Sequence, residues 1–425
     1  METQFSIIVI GNGLIGSAAA RYLAGESDAV ALLGPPEPRD WENHDGVFSS
    51  HYDEGRITRI MDSNPHWAEF AHRSIDEYPN IEKESGIRFF HPVGCLQGPQ
   101  TRMPGNQWNS LQNEAARHNT HAEILGKEEL EKQFPYFRFG EDNAFLEKET
   151  AGYINPRKLV QAQIRIAQNR GAEVIPETAL DLKQNDSAWE VQTDHGNRYV
   201  AEKVLLCTGA FTNALLDEPL PFMIYPRTVL FARVDKNQLE RFQNMPCIIW
   251  DLEPGFEFSD MYLMPPILYP DGHHYIKIGG DAPNSLTMDD ASKLTEWFQQ
   301  GGSEDHARGL KEILLDLMPE LSDSEFHHKP CVTTYTRSGY PFIDELDSGL
   351  YTACAGCGLS AKSSNELGRI ASRKILENHS GYGKIQSQEN FEIFKVPDSL
   401  NSITITTQHL SLIHIWRCRR VDRCR

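Results

Sequence analysis

Two arginines three positions apart, Arg56 and Arg59, close the stretch SSHYDEGRITR, just behind the acids Asp53 and Glu54. A planar guanidinium grips a carboxylate through two parallel N–H bonds and stays charged at any working pH, which Lys or His does less well. The stretch follows neither a helical nor a strand period, so it reads as a loop that presents these groups. A solvated charge cluster, with the arginines balancing Asp53 and Glu54, is the other reading. A second chemical feature comes earlier, at Gly11-Asn12-Gly13-Leu14-Ile15-Gly16. In GxGxxG, Gly11 makes the tight turn, Gly13 lets the backbone approach a pyrophosphate, and Gly16 lets helix and strand pack closely.

Elements that could position these groups are visible around them. The run FSIIVI precedes the glycines, the small-residue segment SAAARYLAGES follows, and AVALLG comes next, giving strand, turn, helix and strand. The acid that usually ends the second strand and holds ribose hydroxyls is replaced by Gly34, with Glu37 as the nearby substitute. Further on, Pro156 opens an amphipathic helix that closes near Gly171. VLLCTGAFTNALL reads as a strand, a turn at Gly209 and a helix, and GLYTACAGCGLSAK as a strand, a turn carrying Gly356 and Gly358, and a terminal helix. Residues 85–150 and 215–325 carry alternating apolar patterns such as PRTVLFARV, closer to an antiparallel sheet.

The 425 residues favour two or three units. A formal charge of −19 disfavours nucleic acid and anionic membrane as partners, and no apolar run is long enough to span a bilayer. The eight cysteines are scattered, which fits a reducing intracellular, cytoplasmic setting rather than a disulfide scaffold. Cys354 and Cys357 have CxxC spacing but no second pair at zinc-ribbon distance, so no metal is expected. The arginine-rich end, LSLIHIWRCRRVDRCR (410–425), reads as a non-native tail, which would leave a peroxisomal address at the natural end out of view.

Taken in order, IIVIGNGLIGSAAARYL, SSHYDEGRITRI, VLLCTGAFTNALL, IKIGG, KPCVTTYTRSGYPFID and the last glycine turn resemble the FAD-dependent amine oxidases of the D-amino-acid-oxidase type. Within that group the chain looks most like monomeric sarcosine oxidase, N-methyl amino acid oxidase and pipecolate oxidase. The resemblance implies an α/β fold in which a Rossmann-like FAD-binding domain (1–84, 151–214 and 326–385) interleaves with a mixed, largely antiparallel-sheet substrate domain (85–150 and 215–325). It implies FAD as cofactor, an amine or amino acid as substrate, O2 as acceptor with hydrogen peroxide as product, and a monomer or small homo-oligomer.

Residue by residue, Arg56 falls on the family's arginine beside the flavin, Arg59 on the one that binds the substrate carboxylate, and Ser50 and His51 on the head of the same loop. Cys331 falls on the cysteine that carries the flavin covalently, while Thr333 replaces an active-site tyrosine and Ser338 an acid, and Tyr340 stands at a usual histidine. Lys277 falls on the lysine that promotes reaction with oxygen, and Asp281 stands where a histidine is usual. The late turn is one residue short, so Lys362 matches the second carboxylate-binding residue only if the deletion lies among the glycines. The lost tyrosine and histidine also leave room for a dehydrogenase with another acceptor, or for a catalytically idle flavin-binding protein.

Overall fold

The computed structural model describes residues 3–397 apart from 104, 141, 186–187, 254–256, 283–286, 289 and 378–390; the tail 410–425 lies outside the described residues. Thr3–Ile10 is the centre of a parallel core in the order Glu173–Ile175, Val30–Leu33, Thr3–Ile10, Arg198–Leu206, Leu350–Cys354. Ile7 to Ile10 are almost wholly buried. A strand covered on both faces needs an unbroken apolar run, which is why FSIIVI does not alternate. Antiparallel strands Ala179–Asn185, Ala188–Thr193 and Phe342–Asp347 complete this sheet.

Helices Leu14–Leu23, Pro65–Ser85, Pro156–Asn169 and Ser360–Glu377 pack with one another. Asn64 and Asn155 cap two of them through side-chain oxygens, each followed by proline at the first helical position. Gly368 lets the last helix meet the first, since a Cβ there would lie 2.6 Å from the Ala18 Cβ. At that crossing Asn365 Oδ1 accepts from Arg21 (2.9 Å) and Gln163 (3.1 Å), tying three helices together.

The second sheet runs Phe326–Tyr335, Met223–Val234, His274–Asp281, Asp260–Leu268, Cys247–Asp251, Cys95–Gly98, Ala144–Glu147, Ala122–Leu125, antiparallel except where Cys247–Asp251 meets Cys95–Gly98. Its apolar face, with Leu230, Leu263, Ile276 and Ile278, packs on Leu310 and Leu314 of helix Glu304–Leu317. The strand carrying Cys331, grouped by sequence with the dinucleotide-binding segment, is an edge strand of this second sheet, where Arg227 pairs with Cys331. The turn at Gly209 leads into a 3-10 segment, Gly209–Leu215. The end of SSHYDEGRITR is also not loop: Arg56–Thr58 forms a strand against Gly152–Ile154, which pairs in turn with Phe90–His91. That small sheet fixes the backbone of Arg56 and leaves Arg59 just past its end.

Candidate active site

One cleft of about 2050 Å³ runs from the glycine turn to the second sheet, lined by Gly11, Gly13, Leu14, Ile15, Gly34, Ser50 and Arg56 at one end and Arg59, Cys331 and Lys362 further on. It exceeds the roughly 300–1,000 Å³ of an ordinary small-molecule pocket and suits a dinucleotide together with a second ligand. Gly11 has φ +105°, and a Cβ there would meet the Cys207 carbonyl at 2.4 Å. At Gly16 it would sit 1.9 Å from the Gly11 oxygen, whereas at Gly13 the nearest atom is Ser49 Oγ at 3.4 Å. The protein itself leaves room at Gly13, as expected if a ligand fills it. Gly13→Ala is therefore expected to leave the melting of the apoprotein within about 0.5 kcal/mol of the parent while weakening FAD binding. Gly16→Ala should cost roughly 1–3 kcal/mol or more by overpacking, and thermal unfolding of the two flavin-free variants separates the cases.

Helix Leu14–Leu23 begins at Gly13 with no side-chain cap and no acid in its first turn. Its free N–H groups and positive dipole end are thereby left for an anion. The ribose end differs from expectation. Asn12 Nδ2 donates to the carbonyls of Gly34 and Pro35, both at 3.0 Å. Glu37 accepts from Arg157 through both oxygens (2.7 and 2.5 Å) and is not one of the residues lining the cleft. Arg157 also reaches Glu54 at 2.8 Å. Sequence spacing carried no sign of Arg157, which lies 120 residues away from Glu37.

Beside the glycine turn, Ser50 and Gly209 line the cleft, as do Gly356 and Gly358 of the late turn. Gly209 and Gly358 have φ of +59° and +69°, the left-handed region that favours glycine. His51 lies beneath the wall instead: it is buried, hydrogen-bonded to Ser49 Oγ (2.5 Å), and burial with the charges of Arg157 and Arg56 pushes it down to about 3. It is thus a neutral anchor for Ser49.

Asp53 is the hub under this loop. It accepts from Arg56, from Lys277 Nζ (2.6 Å) and from the Tyr269 hydroxyl (2.7 Å). Lys277 Nζ also donates to the Gly55 carbonyl. Lys277 is fully buried behind the loop rather than on the cleft surface, and burial, reinforced by Arg56, holds its ammonium well below the usual lysine range. Arg56 itself lines the cleft and donates to the Ser50 carbonyl at 2.8 Å.

Arg59 and Lys362, 303 positions apart by their numbers, meet over one acid. Lys362 Nζ lies 2.7 Å from Asp62 Oδ2 and Arg59 Nη2 3.5 Å from the same oxygen. Arg59 Nε donates to Gln97 Oε1 at 3.0 Å. Glu147 fixes the backbone here by accepting from the Ile60 and Met61 amides, each at 2.9 Å. Burial pushes Lys362 down to about 8 against the opposing pull of Asp62, and the two cations together hold the Asp62 carboxyl below its usual range despite its burial. Lys362 thus lines the cleft beside Arg59, paired with Asp62. Asp62, three residues past Arg59, was missed as a partner although its spacing was readable.

Cys331 lines the cleft with a free thiol, as do Thr333, Ser338 and Tyr340. Tyr340 bonds His66 Nδ1 and Asn64 Nδ2, both at 2.9 Å. Cys354 and Cys357 are free and buried, their thiols pushed up by desolvation.

The fold agrees with comparisons to known proteins. The chain is 28% identical over 290 residues to the monomeric sarcosine oxidase of Streptomyces avermitilis, covering 64% of this chain and 68% of that protein. It is 24% identical over 399 residues to that of a Bacillus species, covering 86% and 95%. The solved structure of NikD, described as an unusual amino acid oxidase essential for nikkomycin biosynthesis, superposes with a TM-score of 0.72 at 20% identity over 93% of this chain and 98% of that one. L-proline dehydrogenase of P. horikoshii gives 0.71 at 15% identity over 93% and 97%. Residues 6–374 match the family model described as FAD dependent oxidoreductase, and the chain belongs to that family.

Proposed function

We propose that the protein oxidises an amine bearing a carboxylate, such as an N-methyl or cyclic amino acid, to an imine with O2 reduced to hydrogen peroxide. The observation that carries this reading is the convergence of Arg59 and Lys362 on the cleft wall over Asp62. Asp62 is shared by the two cations, and the other buried acid nearby, Glu147, turns its oxygens to the Ile60 and Met61 amides and the Thr150 hydroxyl; the cations thus keep donors on the cleft side for a substrate carboxylate. FAD, when bound along the glycine turn, would supply the two-electron acceptor for oxidation of the carbon beside nitrogen, with hydrolysis of the imine by water and return of the two electrons to O2 completing the cycle. The chain's part is to hold the carboxylate on Arg59 and Lys362 and to turn that carbon toward the flavin. Arg56 keeps positive charge beside the ring, restrained by Asp53 and the Ser50 carbonyl.

Attachment of the flavin through Cys331 belongs to the same proposal. The thiol is free, lies on the cleft and belongs to strand Phe326–Tyr335. After acid precipitation, yellow colour is expected to stay with the protein and to move to the supernatant in Cys331→Ser; colour lost from the parent would contradict the tether.

Carboxylate binding should depend on pH with a defined sign. Lys362, lowered to about 8, is charged below that pH and neutral above it, so affinity for carboxylate ligands should fall as pH rises through about 8. Perturbation of the visible flavin spectrum by a non-oxidised carboxylate, titrated across that range, measures it.

Lys277 supports a second reading. Its ammonium is committed to Asp53 and Gly55, which weakens the positive charge available to assist oxygen and favours a dehydrogenase using another acceptor. Turnover of sarcosine, other N-methyl amino acids, proline, pipecolate and glycated amino acids, followed by peroxide formation in air and by dye reduction under argon, decides between the two. Peroxide in proportion to substrate supports the oxidase, and dye reduction without peroxide the dehydrogenase.

A further inference from the structure

Strand Val30–Leu33 runs into Gly34, the position at which an acid usually holds the ribose hydroxyls of a bound dinucleotide. This chain cannot carry an acid there. A Cβ on Gly34 would lie 2.6 Å from Asn12 Cγ and 2.8 Å from both the Asn12 backbone nitrogen and its Oδ1. Gly34 is itself held in place, its N–H donating to the Ile175 carbonyl at 3.0 Å. The side-chain amide of Asn12 therefore fills the space through which the stem of an acid at position 34 would run.

The other acids near the cleft are engaged elsewhere. Asp62 is shared by Arg59 and Lys362, and Asp260 and Asp281 belong to strands of the second sheet. Asp45 lies on a loop tied to helix Ala291–Gln299, whose Thr295 and Gln299 donate to the Gly46 and His44 carbonyls. Glu37 has both oxygens on Arg157 and does not line the cleft. Asn12 lines it together with Gly34 and Pro35. Its Nδ2 is committed to the carbonyls of those two residues, both at 3.0 Å, and two acceptors on one side settle which end of the amide faces them. Oδ1 receives no donor among the described residues and is an acceptor of fixed direction. Leu180, 58% exposed, lines the cleft on the chain that leaves Glu173–Ile175, the strand paired with Val30–Leu33. It offers an apolar wall for a flat base next to the sugar.

We propose that Asn12 Oδ1 is the acceptor for a hydroxyl of the adenosine ribose, in place of the acid that position 34 cannot hold. The inference needs only that FAD occupies the cleft, and it is independent of which substrate is oxidised. A neutral amide forms a weaker bond to a hydroxyl than a carboxylate does, since charge-assisted hydrogen bonds are roughly twice as strong. Asn12 has no part in the chemical step; it fixes the nucleoside end of the cofactor.

The test uses the full chain with Cys331→Ser, so that flavin can exchange, loaded with FAD. The protein is equilibrated with an excess of equal parts FAD and an analogue whose adenosine lacks the 2′- or the 3′-hydroxyl. Free flavin is removed by ultrafiltration, and the bound flavins are released, separated and measured. Their ratio is the ratio of affinities and requires no turnover. FAD is expected to be preferred about fivefold or more over at least one analogue. In Asn12→Ala on the same background the preference should fall to about twofold or less. Position 12 is not among the residues with left-handed backbone, so alanine suits its conformation. A preference that persists in Asn12→Ala would overturn the assignment, because Asn12 would then only brace Gly34 and Pro35. Equal uptake of FAD and both analogues by the protein with Asn12 in place would overturn it without any variant at that position. Either failure leaves the carboxylate anchor at Arg59 and Lys362 untouched.

Discussion

Replacing Arg59 with alanine is expected to lower kcat/KM for carboxylate-bearing amines by about 2–5 kcal/mol, roughly 30- to 5,000-fold, while amines lacking the carboxylate change little. The reasoning starts from geometry. Arg59 is held by Gln97 at 3.0 Å and shares Asp62 with Lys362, so its guanidinium is aimed at the cleft before any ligand arrives. A preorganised cation loses little side-chain freedom on binding, so most of its attraction counts toward affinity. Without it, the substrate carboxylate would face Lys362 alone, with Asp62 2.7 Å from that ammonium. Equal losses for carboxylate-bearing and decarboxylated amines would remove Arg59 from the role.

Lys277→Met should produce the second large effect, in two measurements at once. Lys277 is fully buried, and its Nζ is one of three side-chain donors to the Asp53 carboxylate, which also accepts from the Glu54 amide. Removing one partner of a buried pair costs about 3–5 kcal/mol because the other charge is left uncompensated. Arg56 and Tyr269 remain on Asp53, which places the expected loss toward the lower end. Thermal unfolding reads that term. Stopped-flow kinetics read the other: reoxidation of reduced flavin by O2 should slow more than its reduction by substrate, since the lost positive charge would otherwise favour electron transfer to oxygen. The opposite order would remove Lys277 from the oxygen step and favour a purely structural ion pair.

Much of this was legible in the chain because it depends on local pattern. The glycine turn was readable since Gly11 and Gly16 answer to contacts within one strand-turn-helix unit. The arginine pair was readable as a cluster of charge, and of its two readings the pairing with the acids holds for Arg56, which bonds Asp53, while both arginines also line the cleft. What stayed hidden depends on long-range pairing. Glu37 looked free until Arg157 was seen to occupy both its oxygens. The strand of Cys331 was grouped with its sequence neighbours, yet its ladder partner is Met223–Val234, about a hundred residues earlier. Lys277 sits on the correct strand, but only the fold reveals that Asp53 draws it behind the loop.

The central claim, that a carboxylate-bearing amine is oxidised in this cleft at the expense of bound FAD, is tested most directly by anaerobic bleaching. The purified yellow protein is mixed under argon with each of a panel of N-methyl and cyclic amino acids, and the visible flavin absorbance is followed. The account predicts rapid bleaching by at least one of them, colour restored on admitting air or an acceptor dye, and loss of the bleaching in Arg59→Ala. A flavin that keeps its colour with every amino acid, or that bleaches equally well with decarboxylated amines, would contradict it.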